Sequence, residues 1–287
     1  MAQRDRGFGM SAPSAAAFDR IAALGPFFAV QGHARASAPG GPWRPMRELV
    51  TEPELLAERV RAVRAQLAAS GGRPAEAVEP RVAASVTHLS LVARLMSPAL
   101  AGAAILGLEL LPVGLDGVHW QPLPGGMFPL SLPLPAQAPT ATGATAPTDR
   151  LAALLGESLL DRAARELVEA VRPLSVSARV LWGNVASALV GAATVLVGSP
   201  HTSPAQAARA REITALLLDH PTLRGTAETD ARGRFRRRSC CLIYRAAPRG
   251  AGGFCADCVL SAPGRAARGP RRSGTDRPMT GGSSGVS

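Results

Sequence analysis

The sequence predicts a mainly α-helical protein of the α+β kind: a helical bundle with a small antiparallel β-meander and a cysteine-rich, metal-binding loop near the C-terminus. Three observations carry this. Apolar residues recur at helical spacing through much of the chain before the cysteines. A proline-punctuated stretch at 108–134 breaks that period and carries an Asp-Gly joint between apolar runs. All four cysteines, Cys240, Cys241, Cys255 and Cys258, fall within nineteen residues.

Residues 1–13 are expected to be disordered, and a first helix should start after Ser14 with Phe18, Ile21 and Leu24 on one face, ending near Gly25-Pro26. A Pro/Gly-rich loop is expected at 31–48. Thr51 and Glu54 form the T-x-x-E of a capping box, opening a helix that presents Leu55, Leu56, Val60, Val63 and Leu67 and stops at Gly71-Gly72. The next helix should span 80–96 and break at Ser97-Pro98, because proline disfavours helix in the residue before it. Between 108 and 134 the Asp116-Gly117 joint predicts a hairpin, and a third run, 127–134, completes the meander on edge positions that tolerate proline. Residues 135–147 read as a low-complexity linker. Leu151, Leu155, Leu159 and Leu167 then head a helix ending near Arg172-Pro173, followed by helices at 176–197 and from Ser203 to about His220. Ser203, Pro204 and Gln206 supply an N-cap, an N1 proline and an N3 partner. The expected organisation is therefore 1–134 (helical region with meander), 135–147 (linker), 148–223 (helical bundle region), 224–262 (cysteine motif) and 263–287 (disordered basic tail).

The 46% hydrophobic content supports a packed core, and the 4% aromatic content leaves Ala, Val and Leu to fill it. All 32 basic residues are arginine. Between residues 224 and 278 there are 13 arginines and four acids, which places nine of the eleven net positive charges around the cysteines. Such a patch suits nucleic acid, anionic lipid, an acidic protein partner, or the negative charge of a metal–thiolate centre. Residues 180–198 carry no charge and approach the length of a membrane span. Gly183, Asn184, Ser187 and Gly191 interrupt them at helical spacing, which favours a buried central helix; His88, Arg94 and Pro98 deny the 82–106 segment equal quality as a span. The N-terminus shows no apolar run long enough for export, so a cytoplasmic location is expected. The five histidines show no metal-binding spacing, and no Walker A, G-x-G-x-x-G or G-x-S-x-G motif occurs, so no bound nucleotide or flavin is expected.

Chemistry therefore rests on C-C-x13-C-x2-C. Thiolate sulfur selects iron–sulfur clusters, zinc or Cu(I). A disulfide between Cys240 and Cys241 is disfavoured, since adjacent Cα atoms lie about 3.8 Å apart, short of ordinary disulfide spans. Zinc sites usually pair a C-x2-C knuckle with a second spaced pair, and adjacent cysteines in extended chain diverge. A two-iron cluster accepts diverging thiolates more readily. A [2Fe–2S] centre is thus favoured over zinc and over structural disulfides.

The stretches RRRSCCLIYR (236–245) and GGFCADCVL (252–260) resemble the signature of FhuF-type ferric siderophore reductases, whose C-C-x10-C-x2-C motif holds a [2Fe–2S] cluster. LWGNVASALVGAA (181–193) is similar to a helix of that family, and a more diffuse likeness reaches back to about Arg81. The gap here is thirteen residues, with the surplus in the flexible AAPRGAGG (246–253). The resemblance implies a [2Fe–2S] cofactor on Cys240, Cys241, Cys255 and Cys258 and one-electron reduction of siderophore-bound Fe(III) in the cytoplasm. It also points to Trp182 and Asn184 as substrate-facing residues, with helix packing the competing role for Trp182. The implied partners are the ferric siderophore and a soluble donor such as an acidic ferredoxin, with peripheral contact at the anionic inner face of the membrane. Two other readings remain open: a zinc-stabilised basic module that binds nucleic acid, and an iron–sulfur carrier or sensor without its own substrate.

Overall fold

A computed structural model describes residues 12–34, 39–108, 110, 114–123, 127–134, 146–229, 234–247 and 254–260. Residues 1–11 of the expected N-terminal disorder, nearly all of the linker and the basic tail lie outside these residues; residues 12 and 13 are already helical, so the first helix starts before Ser14.

Among the described residues there are eight α-helices: α1 (Ala12–Ala22), α2 (Glu48–Thr51), α3 (Pro53–Ser70), α4 (Pro80–Ala101), α5 (Thr148–Leu155), α6 (Arg165–Val171), α7 (Ala178–Gly198) and α8 (Pro204–Leu218). A π-helical turn, Gly102–Leu106, prolongs α4, and another, Gly156–Ala164, joins α5 to α6. At the start of α8, Ser203 and Gln206 form the expected reciprocal capping box. The box expected at Thr51 does not form. Thr51 closes the short α2 and donates its hydroxyl to the Arg47 carbonyl. Glu52 is extended and Pro53 takes N1 of α3, because proline pre-sets the helical φ there and has no N–H to leave unpaired.

Helix α4 also departs from expectation by running through Ser97-Pro98 to Ala101. Residues 95–101 are all buried, so tertiary packing outweighs the backbone hydrogen bond that Pro98 cannot donate. The continuous stretch Pro80–Leu106 and α7 are both long and apolar enough to cross a membrane, with hydropathies of 1.7 and 1.8. The 82–106 segment thus equals 180–198 in this respect, contrary to the sequence expectation. Of the most apolar window in each, 83% and 56% is buried within the protein.

Two strands arise where only loop was expected. β1 (Gln31–His33), β2 (Arg44–Pro45), β3 (His119–Trp120) and β4 (Leu130–Pro133) form one sheet in the order β1-β4-β3-β2. β1 pairs with β4 in parallel, and the other pairings are antiparallel. The expected meander is therefore a mixed sheet. The Asp116-Gly117 joint does turn, with Val118 N–H on the Leu115 carbonyl, yet the strand it feeds pairs with β2 and β4 instead of with 108–115. A second small ribbon, β5 (Ala227–Thr229) with β6 (Phe235–Arg237), precedes the cysteines.

One continuous apolar core links residues from α1 to Leu223, on both sides of the linker. α4 and α7 are its central pair. They run in the same direction: Ser85 meets Asn184 near their N-termini, and Ala93 and Ser97 flank the same cavity as Gly191 and Val195 further along. Close approach of the segment before Cys240 to α7 depends on Gly183, because a Cβ there would overlap the Ser239 hydroxyl.

Candidate metal centre

The cysteine segment is built from two turns clamped onto the N-terminal half of α4 and α7. After Cys240-Cys241 the chain reverses at Leu242, which sits in the left-handed region (φ +69°) and leads into the 3-10 turn Ile243–Ala246. A non-glycine residue there is uncommon, and such backbone is held only where surrounding contacts demand it. Although adjacent, both cysteines of the pair reach towards the second turn: Cys241 meets Cys255, and Cys258 acts on Cys240. The second turn spans Cys255–Cys258 and is closed by the Cys258 N–H on the Cys255 carbonyl at 3.1 Å.

Several contacts fix these turns. The Arg237 N–H donates to the Asp257 carbonyl at 3.0 Å, joining β6 to the second turn. Ser187 of α7 donates its hydroxyl to the Asp257 carboxylate. The Ser85 hydroxyl of α4 donates to the Cys241 carbonyl at 2.9 Å. Glu79, at the start of α4, holds the Arg245 guanidinium, Nε at 2.7 Å. The Tyr244 and Phe254 rings meet at 5.5 Å, linking one turn to the other.

The two turns bring the thiols together. Cys241 and Cys255 sulfurs lie 3.7 Å apart, and the Cys240 thiol is acted on by both Cys241 and Cys258. Cys241 and Cys258 are 2% exposed, whereas Cys240 and Cys255 are half-buried. Each turn thus has an inner and an outer sulfur. Main-chain N–H groups point at the sulfurs: Leu242 at Cys240 (3.3 Å) and Leu260 at Cys258 (3.4 Å). The Cys255 contact chiefly, then the Ile243 N–H and the Arg237 charge, hold the Cys241 thiol well below its ordinary value. The same contact pushes Cys255 up, with burial adding to it, and burial raises Cys240. Among the described residues no group of three or more His, Cys, Asp or Glu side chains converges as one metal ion would require.

Residues 237–260 match the family model of the FhuF 2Fe-2S C-terminal domain. The chain carries a FhuF-type [2Fe–2S] domain. Its cofactor is a [2Fe–2S] cluster, and the matched segment contains all four cysteines. No curated protein matches the chain.

The residues beneath this FhuF-type domain fit such a group electrostatically. Arg237 is 1% exposed. Its Nη2 donates to Asn184 Oδ1 at 2.8 Å, while its Nε and Nη1 have no hydrogen-bond partner among the described residues. Asn184 is held in turn by donating to the Ser85 carbonyl (3.0 Å) and hydroxyl (3.2 Å). A buried guanidinium with unfilled donors is costly. A four-thiolate iron–sulfur group carries net negative charge, which offsets that cost. Arg237 was one of a run of arginines in the sequence, and only its burial separates it from Arg238, which pairs with Glu228 at the surface.

Asn184 is fully buried in this network and faces Arg237 and Ser85, so the substrate-facing role suggested by resemblance is corrected. Trp182 is half-buried and lies under the Arg165 guanidinium at 5.8 Å, a packing contact. Sequence reasoning missed Ser85 and His88, one turn apart on α4. His88 is fully buried, and burial first, then Arg237, lower its pKa to about 3. His33 and His119 also meet, with rings 4.9 Å apart across the sheet, but His33 is bonded to Ser131 and no third ligand joins them among the described residues.

Proposed function

We propose that the protein is a ferric siderophore reductase: Cys240, Cys241, Cys255 and Cys258 hold the [2Fe–2S] cluster, and one electron from a soluble donor such as a ferredoxin converts siderophore-bound Fe(III) to Fe(II) in the cytoplasm. The observation that carries this reading is the match of the cysteine segment to the FhuF 2Fe-2S domain. The Cys241–Cys255 contact across the two turns and a buried arginine with unfilled donors beside Cys241 support it. When bound, the cluster supplies a one-electron store at a potential set by charge and hydrogen bonding.

The chain's own residues set the conditions for that exchange. Arg237 places a fixed positive charge beneath the sulfurs, which favours added negative charge and raises the potential. The N–H groups of Leu242, Ile243 and Leu260 act in the same sense. The half-buried Cys240 and Cys255 mark the outward face, where donor and chelate would approach. Exposed arginines around this face favour an acidic donor, an anionic chelate, and peripheral contact with an anionic membrane surface. The donor loses one electron and the chelated iron gains one, and no proton need move. Hard anionic oxygen ligands hold Fe(II) less well than Fe(III), so the metal is released.

Anaerobically purified protein should be red-brown and give a reduced-state electron paramagnetic resonance signal. It should also accelerate reduction of a ferric siderophore by a reduced donor, and Cys258→Ser should abolish both colour and rate. Reduction that survives Cys258→Ser would refute the reading. A colourless zinc protein retained on DNA at low salt would point to the nucleic-acid-binding module instead, and a coloured protein inert towards ferric chelates to a carrier or sensor.

A further inference from the structure

We infer that the cavity beside the cysteine segment, between α4, α7 and the turn at 24–28, binds the apolar part of the ferric chelate. The inference rests on the reductase reading and specifies its substrate class: a chelate that joins a hydrophilic iron centre to an aliphatic arm.

The cavity has a volume of about 300 Å³ and is walled by residues such as Leu24, Phe28, Ala93, Ala188 and Gly191, almost all apolar. Ser187 lines it and also donates to Asp257, which lies between Cys255 and Cys258. One residue therefore belongs both to the cavity wall and to the support of the thiols. Its other end opens to solvent beside Phe27 and Val195, which are 39% and 42% exposed. Small-ligand sites run from roughly 300 to 1,000 Å³ and are mainly apolar with a few polar groups. This volume suits a portion of a chelate, with the hydrophilic iron centre left outside the mouth.

Gly191 lines the cavity on an exposed part of α7, where a Cβ would meet nothing within 4 Å, so a larger side chain can be introduced there as a probe. One feature shows that the space is maintained, its roof. Arg94, 1% exposed, donates to the carbonyls of Pro26 (2.9 Å), Phe27 (2.7 Å), Ala29 (2.9 Å) and Phe128 (3.2 Å). A buried guanidinium that ties down the turn on three carbonyls gives the cavity a preformed wall, so little ordering is required when a ligand enters.

The test separates binding from reduction by using redox-inert gallium(III). Tris(hexanohydroxamato)gallium(III) and tris(acetohydroxamato)gallium(III) share one coordination sphere and differ only in chain length. Calorimetric titration of the full-length, cluster-loaded protein should show the longer-chain chelate binding about tenfold more tightly, as burial of two methylenes requires. Gly191→Leu should reduce that preference to about twofold or less by filling the space, with Gly191→Ala intermediate. Both variants should melt no lower than the parent, since Ala and Leu are better helix formers than Gly. Equal affinity of the two chelates for the parent protein, or a preference that survives Gly191→Leu, overturns the inference. So does a concentration-dependent dimer abolished by Val195→Glu together with no chain preference, which would assign the cavity to a second copy of the chain. Chain preference without reduction of the matching iron chelates would sink the reductase reading and leave the cavity assignment standing; reduction without chain preference would do the reverse.

Discussion

Replacing Arg237 with methionine keeps most of the buried volume and removes the charge, so it separates the electrostatic role from packing. In the metal-free protein the change should cost little. Asn184 Oδ1 loses its donor, a penalty of about 1–3 kcal/mol, but a buried cation with two donors unfilled is removed with it. These terms oppose, and the melting temperature of the metal-free protein should move by only a few degrees. The cluster-loaded protein should respond differently. At an effective dielectric constant near 20, a unit charge roughly 4–8 Å from another contributes about 2–4 kcal/mol. For one electron, about 1.4 kcal/mol corresponds to roughly 59 mV, so the midpoint potential should fall by on the order of 100 mV. Loading should also stabilise the variant less than the parent. The assay is potentiometric titration followed by electron paramagnetic resonance, with thermal melts of both forms. A potential that stays within the error of the parent would refute the argument that Arg237 compensates cluster charge.

Two further outcomes follow from the same seam. Gly183→Ala places a methyl against the Ser239 hydroxyl and 3.6 Å from Arg237 Nη2. It should destabilise by roughly 1 kcal/mol despite the helix-propensity gain, and adding Ser239→Ala should recover most of the loss in a double-mutant cycle of urea unfolding; additive losses would show that the contact is not the cause. His88 supplies a pH dependence. Its folded pKa is about 3, against an ordinary 6.5, so below pH 6.5 the unfolded chain takes up a proton that the folded protein refuses. Stability should fall as pH drops through 6.5, by about 1.4 kcal/mol per unit. Between pH 7.5 and 5.0 the parent should lose about 2 kcal/mol more than His88→Leu, and equal losses would refute the assignment.

How much could be read beforehand depended on the range of the interactions involved. The capping box at Ser203 and Gln206 and the helix ends at Gly71 and Gly198 involve groups a few residues apart, so local chemistry announces them. The box at Thr51 failed for a local reason too, since Pro53 competes for the start of the helix. β1 and β2 went unseen because neither Gln31–His33 nor Arg44–Pro45 has a strand pattern of its own; they become strands by pairing with β4 and β3, some 75 to 100 residues away. Pro98 misled because its local cost is set against burial, which only the packed core reveals.

The cysteine chemistry was legible because thiol type and spacing lie in one contiguous segment, and a sulfur-rich donor set limits the metals it can take. The composition likewise announced an alanine- and leucine-filled core and a basic stretch around and beyond the cysteines. What tertiary structure alone decided is which of many similar residues matter. It buries one arginine of a run of three under the thiols, and turns Asn184 from a candidate substrate contact into the group that holds that arginine. It also leaves Gly183 as the gap through which the cysteine segment docks. Burial and the satisfaction of buried polar groups are properties of the assembled neighbourhood, and identical side chains on a linear sequence carry no mark of the neighbourhood they will enter.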